Sequence, residues 1–303
     1  MAMKAKMAVR NIRKSKSDRL FDVIDYAFLT LALLAVAYPL YFIVIASISE
    51  PAAVYNGNVI WRPIMPTLEG YERILSYSSL YTGYRNTIIY TLVGTAINVV
   101  LTILAAYSLS RKDLVGRNLL MKLIMFTMIF SGGMIPNYLL VRSLKLYNTM
   151  WALILPGAIS TWNLIVARTF FQQSIPGDLL EAAELDGCSD VQFFFRIVLP
   201  LSHSIIAVMV LYYAVAHWNS YFDSLIYMSS QEKYPLQLVL RNILIVNTVD
   251  DMVYDVATVV EQQRMGDLIK YGMIILSALP LLVLYPFLQR YFVQGVMIGA
   301  IKG

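Results

Sequence analysis

The sequence predicts an all-α, polytopic membrane protein with six transmembrane helices, and two observations lead to this prediction. Of the 303 residues, 58% are hydrophobic and only 14% are charged, whereas a soluble domain carries about 25% charged residues. Six apolar stretches are also long enough to cross roughly 30 Å of hydrocarbon, which takes about 20 residues. Because lipid offers the backbone no hydrogen-bond partner, each stretch must be a helix.

The six predicted spans make up one membrane domain, residues 23–292. Their bounds are Val23–Ser47, Thr87–Leu109, Leu119–Val141, Trp151–Phe171, Ser204–Ile226 and Leu268–Phe292. Prolines fall within or near the ends of these spans, at Pro39, Pro136, Pro280 and Pro286. A proline inside a helix removes one hydrogen bond and kinks the helix. Such bends suit helices that line a pathway, and they also occur in ordinary packed bundles.

The charges at the N-terminus predict the orientation of the chain. Residues 1–22 form a basic segment whose lysines and arginines are Lys4, Lys6, Arg10, Arg13, Lys14, Lys16 and Arg19. Positively charged flanks stay in the cytoplasm, so we expect this segment there. Six crossings then return the C-terminal tail, residues 293–303, to the same side.

A polar segment between the fourth and fifth spans, residues 174–203, has the pattern of two short helices joined by a turn, and we call it the elbow. Ser174 and Pro176 are typical of a helix start, and Asp178 places negative charge where the helix dipole favours it. Ala182 and Ala183 are small enough to let another surface approach the backbone.

The second half of the elbow carries its own start and stop signals. Gly187 is expected to supply the left-handed turn that ends the first helix. Ser189 and Gln192 have the spacing of a capping box, and Pro200 is expected to end the second helix. An alternative also fits these signals: the two helices would only lie on the membrane interface, with Phe193–Phe195 sunk into it.

The elbow resembles the hallmark loop of permease subunits of binding-protein-dependent ABC importers: Glu-Ala-Ala, three residues, Gly, nine residues, then Ile-x-Leu-Pro. The matching residues are Glu181, Ala182, Ala183, Gly187, Ile197, Leu199 and Pro200. Three segments are similar to the carbohydrate-uptake, maltose-type branch: Asn98–Arg111, Trp218–Phe222 and Phe292–Gly295. Ser131–Pro136 resembles the subgroup that imports oligosaccharides from complex polysaccharides. Cys188 and His203-Ser204 depart from the usual Ala and Lys-Pro.

This resemblance implies a type I ABC importer permease in the bacterial cytoplasmic membrane. Its partners would be a second, different permease chain, two cytoplasmic ATPase subunits and an extracytoplasmic solute-binding protein. The elbow, including Asp186, would couple to an ATPase, and the tail at Gln294 and Gly295 would also reach it. ATP and Mg²⁺ would bind to the ATPase, because this chain lacks Gly-x-x-x-x-Gly-Lys-Ser/Thr. The subgroup suggests an acidic, uronate-containing oligosaccharide as substrate.

Three residues near the end of the fifth span are candidates for the substrate pathway. Aromatic rings stack on sugar faces and amides bond hydroxyls, which would suit Trp218, Asn219 and Tyr221. Aromatic residues at helical spacing are more often packing residues, so that alternative stays open. The neighbouring His217 is read as a packed histidine rather than a proton relay.

Two other function classes are less well supported. An ion-coupled secondary transporter would need acidic residues inside the membrane, and spans two to five contain none before Asp223. An intramembrane enzyme would need a motif such as His-Glu-x-x-His or Gly-x-Ser-x-Gly, and neither is present. One cysteine and two histidines are also too few for a disulfide or a His/Cys metal site.

Overall fold

A computed structural model describes residues 15–246, 264, 266, 269–283, 285 and 286. The chain divides into two compact units, Met1–Leu68 and Glu69–Gly303. Most of the basic N-terminal segment and the whole tail 293–303, with Gln294 and Gly295, lie outside the described residues.

The first unit is built on one long apolar helix. Helix α1 spans Lys16–Ser47, which confirms the first predicted span as a helix, and α2 spans Pro51–Tyr55. Most of α1 is exposed, as expected for a helix that faces lipid. At its far end, the Tyr41 hydroxyl donates to the Trp61 carbonyl at 2.6 Å, so the chain that follows α2 folds back along α1.

The second unit consists of helices joined by turns and loops, and its described part contains no β-strand. Its helices are α3 Glu69–Leu75, α4 Ser78–Ser110, α5 Arg117–Ile129, α6 Met134–Ser143, α7 Trp151–Ile154, α8 Thr161–Ser174, α9 Gly177–Leu185, α10 Asp190–Phe193, α11 Leu199–Leu201, α12 His203–Trp218, α13 Phe222–Tyr227, α14 Leu236–Val246 and α15 Ile269–Val283. Helix α4 is central, because α8, α12 and α14 all pack against it.

The helices are more interrupted than the sequence predicted. In the described part of the chain, α1 and α4 are the two uninterrupted helices long and apolar enough to cross a membrane. The number rises to four if two bent pairs each count as a span. These pairs are α5–α6, bent by 113°, and Asp190–Leu201 with α12, bent by 78°.

The third predicted span, Leu119–Val141, is wrong as a single helix, because it breaks between Ile129 and Met134. Gly133 adopts φ +86° and ψ 173°, a backbone conformation that is almost exclusive to glycine. Pro136 lies in the first turn of α6, where backbone N–H groups have no partner within the helix, so the missing N–H of proline costs no hydrogen bond. The Ser-Gly-Gly segment therefore acts as a hinge between two shorter helices.

The fourth predicted span, Trp151–Phe171, is also wrong as a continuous helix. After the short α7, Pro156 has no N–H with which to continue the helical bonding. Helix α8 then starts afresh, with the Ser160 hydroxyl accepting from the Asn163 N–H at 3.4 Å.

The second, fifth and sixth spans need smaller corrections. Helix α4 begins at Ser78 rather than Thr87, because its first turns carry polar and tyrosine side chains that lower the hydropathy without breaking the helix. The fifth span is interrupted after Trp218, where the Asn219 side-chain amide turns back to the Val215 carbonyl at 3.0 Å. In the described part of the sixth span, Ile269–Val283 forms a helix, and residues 285 and 286 are also helical.

A line of buried polar contacts joins α4 to α12. The Asn98 amide nitrogen lies 3.1 Å from His217 Nε2. One turn further along α4, the Thr102 and Tyr213 hydroxyls are 2.6 Å apart, and the Tyr213 oxygen also accepts from the Ser160 N–H at 3.0 Å. These contacts support the reading of His217 as a packed residue, and they set the register of the two helices.

Gly94 makes the close approach of α4 and α12 possible. A Cβ atom at position 94 would lie 2.5 Å from His217 Nε2, which is too close for these two atoms without a clash. We expect Gly94→Ala to displace the histidine, to break its contact with Asn98 and to destabilise the bundle by about 1–3 kcal/mol.

Thermal unfolding of the detergent-solubilised chain measures this effect. Gly157→Ala is the matched control, because no heavy atom lies within 4 Å of a Cβ at that position. Equal melting temperatures for the two variants would contradict the packing described for Gly94.

Candidate functional site

The first elbow helix, α9, ends in the turn that the sequence predicted. Gly187 has φ +76°, in the left-handed region. The Cys188 N–H donates to the Ala183 carbonyl at 2.9 Å, and the Gly187 N–H donates to the Glu184 carbonyl at 3.0 Å. This pair of bonds is a Schellman motif, so Gly187 ends α9 by its backbone conformation.

The predicted capping box starts the second elbow helix. The Ser189 hydroxyl accepts from the Gln192 N–H at 3.4 Å, and the Gln192 side chain accepts from the Ser189 N–H at 3.2 Å. The helix then widens to a π-helix over Phe194–Val198. Pro200, two residues after the π-helix ends, leaves the carbonyl four residues earlier without its usual N–H partner, which is consistent with this widening.

Pro200 does not end the second helix before the bend, and this corrects the prediction. It lies inside the last turn, Leu199–Leu201, and the 78° bend comes at Ser202. The Ser202 hydroxyl donates to the Val198 carbonyl at 2.6 Å and is fully buried. The bend is therefore held by a serine that the sequence reasoning did not single out.

One face of the elbow packs into the bundle. Its buried residues belong to the same apolar cluster as residues of α4, α8 and α12, and they are Ala183, Phe193, Phe194 and Val198. Ala183 is only 6% exposed. The prediction that Ala183 faces a partner is therefore corrected: its small side chain lets α9 approach the bundle. Burial of Phe193 and Phe194 also excludes the alternative in which Phe193–Phe195 all lie in the membrane interface.

The opposite face of the elbow is exposed and carries the rest of the predicted coupling residues. These are Glu181, Ala182, Asp186, Gly187 and Pro200, with Leu199 only partly covered. The sequence reasoning missed Leu185, whose side chain is 90% exposed beside them. Its signal was an apolar residue three positions after Ala182, on the same helix face. Leu185 therefore adds an exposed apolar group to the small and acidic residues of this face.

An aromatic contact joins the elbow to the bundle. The Tyr107 ring on α4 lies 5.8 Å from the Phe171 ring on α8 and 5.0 Å from the Phe194 ring in the elbow. We call these three rings the aromatic wedge. Phe171 and Phe194 are buried, so the wedge ties three chain segments together at one point.

An arginine at the end of α4 adds an electrostatic contact to the same region. The Arg111 guanidinium bonds Asp113 at 2.7 Å and also pairs with Asp190, the first residue of α10. Hydrogen bonding to Asp113 raises the pKa of Arg111, and hydrogen bonding to Arg111 lowers the pKa of Asp113. Both groups therefore remain charged at neutral pH.

Arg168 has a defined partner at the same end of the bundle. Its Nε donates to the Leu109 carbonyl at 2.9 Å, which is one of the free carbonyls at the end of a helix. Arg168 thus caps α4 from α8.

The three candidate pathway residues do not form one sugar-binding patch. Trp218 is buried, its indole N–H donates to the Ser277 carbonyl at 2.9 Å, and it is a packing residue. Asn219 is exposed but bonds its own helix. Tyr221 is 37% exposed, and the Arg241 guanidinium lies 5.7 Å from its ring centre.

A family model described as "Binding-protein-dependent transport system inner membrane component" matches residues 98–298, from the middle of α4 past the last described residue. The chain belongs to this family. It is thus a multi-pass permease component of an ABC transporter, and the all-α, type I importer permease fold predicted from the sequence is confirmed.

Two relatives from Bacillus subtilis (strain 168) match almost the whole chain. The polygalacturonan/rhamnogalacturonan transport system permease protein YtcP is 41% identical over 287 residues, covering 94% of this chain and 99% of the relative. Protein LplC is 39% identical over 295 residues, covering 97% and 99%. The resemblance to carbohydrate permeases is therefore confirmed.

A solved structure matches the fold closely. It is a crystal structure of a bacterial ABC transporter involved in the import of the acidic polysaccharide alginate. The matched chain is 31% identical with a TM-score of 0.79, and the match covers 92% of this permease and 99% of that chain.

Thiol labelling distinguishes the two faces of the elbow. In a Cys188→Ser background, we expect Ala182→Cys to react with a water-soluble maleimide in the isolated subunit. Ala183→Cys should stay unreactive there, because the bundle covers it. Equal labelling rates at the two positions would contradict the assignment of the faces.

Proposed function

We propose that this permease forms one half of the translocation pathway of an importer for acidic, uronate-containing oligosaccharides. The elbow, with Glu181, Ala182, Leu185 and Asp186 on its exposed face, seats in a cleft of a cytoplasmic ATPase subunit. Closure of two ATPase subunits on ATP draws two elbows together and turns the pathway from inward-facing to outward-facing.

The observation that carries this proposal is the division of the elbow into two faces. Its inner face is anchored to α4 and α8 by the aromatic wedge. Its outer face presents small, acidic and apolar side chains, with Leu185 at 90% exposure. This outer face is already accessible to a partner. In the proposed mechanism, the wedge transmits the movement of that partner to the bundle.

The substrate class rests on the relatives. One is named for transport of polygalacturonan and rhamnogalacturonan, and the matched structure comes from an importer of alginate. All three named polymers contain acidic sugars. The composition of the chain does not add to this argument, since much of its positive charge lies in the N-terminal segment.

The proposed complex has further members. ATP and Mg²⁺ bind to the ATPase subunits, a solute-binding protein delivers the sugar from outside, and a second, different permease chain completes the pathway. Both termini lie in the cytoplasm, and Gln294 and Gly295 of the tail add to the ATPase contact. In this arrangement the chain itself has no catalytic residue.

An ion-coupled secondary transporter remains the alternative function. Such a carrier needs a buried acidic group in its pathway. Asp223, at the start of α13 in the fifth predicted span, is the acidic residue that such a carrier could use. The family to which the chain belongs favours a chain that takes its energy from a partner.

The docking role of the elbow is tested with Leu185→Asp. We expect this variant to insert and fold, because the side chain touches little of its own chain, and to lose most sugar-stimulated ATP hydrolysis in the reconstituted importer. Removing one fully buried anchor of an interface typically costs about 2 kcal/mol or more.

Val115→Asp is the matched control. Val115 is 93% exposed in the loop that joins α4 to α5, close to Arg111 but outside the elbow. Normal stimulation in Leu185→Asp, or an equal loss in both variants, would refute docking through this face.

A further inference from the structure

The outer end of the second unit contains a cleft that the coupling mechanism does not use. It has a volume of about 170 Å³. Tyr77 and Ser79 line it where α4 begins. Gln231 and Tyr234 line it from a short 3₁₀ turn, Gln231–Lys233, and the residue after that turn, and Val239, Asn242 and Ile243 line it from α14. Helix α4 has 33 residues, so at about 1.5 Å per residue this cleft lies roughly 50 Å from the elbow.

The lining of the cleft has the chemistry of a sugar site. Two tyrosine rings offer apolar faces, and the two amides and one serine hydroxyl offer hydrogen bonds in both directions. Gln231 is exposed and Asn242 partly exposed, so both side-chain amides are accessible to a ligand. The hydroxyls of a sugar ring would form hydrogen bonds with these amides, whereas a purely apolar ligand would leave the amides without partners.

The wall formed by the 3₁₀ turn is held rigidly before any ligand arrives. The Asn86 amide donates to the carbonyls of Glu232 and Tyr234 at 2.8 and 3.0 Å. The Tyr90 hydroxyl donates to the Lys233 carbonyl at 3.0 Å, and the Thr87 hydroxyl accepts from the Leu236 N–H at 2.7 Å. Three side chains of α4 thus fix the backbone between Glu232 and Leu236, and a fixed wall lowers the entropic cost of binding.

A positive charge lies beside the cleft. The Arg73 guanidinium is 5.6 Å from the centre of the Tyr77 ring, and the Arg73 residue is exposed. Arginine matches the geometry of a carboxylate with two parallel hydrogen bonds. Arg73 therefore places a positive charge at the Tyr77 edge of the cleft, where a ring carboxylate would find a partner.

We propose that this cleft is a binding subsite for one uronate ring of the oligosaccharide as it enters the pathway, with Tyr77 as the stacking platform, Asn242 and Gln231 as hydroxyl partners and Arg73 as the carboxylate partner. Its volume is below the roughly 300–1,000 Å³ of pockets that enclose drug-sized ligands. It therefore holds a single ring while the rest of the chain extends into the pathway. This assignment rests on the proposed function.

Uptake of radiolabelled trigalacturonate by the complete reconstituted importer tests the subsite. We expect Tyr77→Leu and Asn242→Leu each to raise the KM for uptake about tenfold, the equivalent of 1.4 kcal/mol. Tyr81→Leu is the matched control, because Tyr81 is an exposed tyrosine one turn further along α4 and does not line the cleft.

Arg73→Gln tests the charge separately. It should raise the KM for trigalacturonate but leave the affinity of the importer for its solute-binding protein unchanged. If wild-type importer takes up trigalacturonate and Tyr77→Leu behaves like Tyr81→Leu, the subsite is refuted while the proposed function stands. If wild-type importer takes up no trigalacturonate, the proposed function itself fails. If the variants weaken only the solute-binding protein's affinity, the cleft is a protein contact and the assignment is overturned.

Discussion

The contact between Tyr107, Phe171 and Phe194 is the constraint on which the rest of the structure depends. It is the point where the central helix, the helix before the elbow and the elbow itself meet. Burial of a phenylalanine side chain contributes about 1.5–3 kcal/mol, whereas an exposed ion pair such as Arg111–Asp190 contributes about 0–1 kcal/mol. Apolar packing therefore holds the elbow in place, and the ion pair orients the start of its second helix.

Anchoring of one face determines what the other face presents. Because Ala183, Phe193 and Phe194 pack into the bundle, the side chains on the opposite face of the elbow must point outward. These include the 90% exposed Leu185, an apolar side chain that is available to a partner of the elbow. The family to which the chain belongs supplies the kind of assembly in which such a partner exists.

Local signals in the sequence predicted local structure well. Gly187 and the Ser189–Gln192 box act through backbone bonds within a few residues, so their effect is readable without the fold. The direction of Ala183 was not readable, because Ala182 and Ala183 are chemically identical and only contact with α4 and α8 distinguishes them. Trp218 was ambiguous for the same reason: its partner at Ser277 is far away in sequence.

The helix breaks were missed for a different physical reason. Hydropathy reports the environment of a segment, whereas continuity of a helix depends on hydrogen bonds and backbone angles. Gly133 and Pro156 interrupt apolar stretches without lowering their hydropathy enough to divide them. Glycine and proline alone do not decide where a helix breaks, because Pro39 lies inside the uninterrupted α1 and Gly94 inside the uninterrupted α4.

The most direct measurement compares Phe194→Ala with Phe195→Ala in the reconstituted importer, as sugar molecules imported per ATP hydrolysed. The two phenylalanines are neighbours of equal size, but Phe194 is 7% exposed in the wedge and Phe195 is 58% exposed. If the wedge transmits force from the ATPase, Phe194→Ala keeps hydrolysing ATP while its import per ATP falls, and Phe195→Ala keeps the wild-type ratio. An unchanged ratio in Phe194→Ala would contradict the central claim.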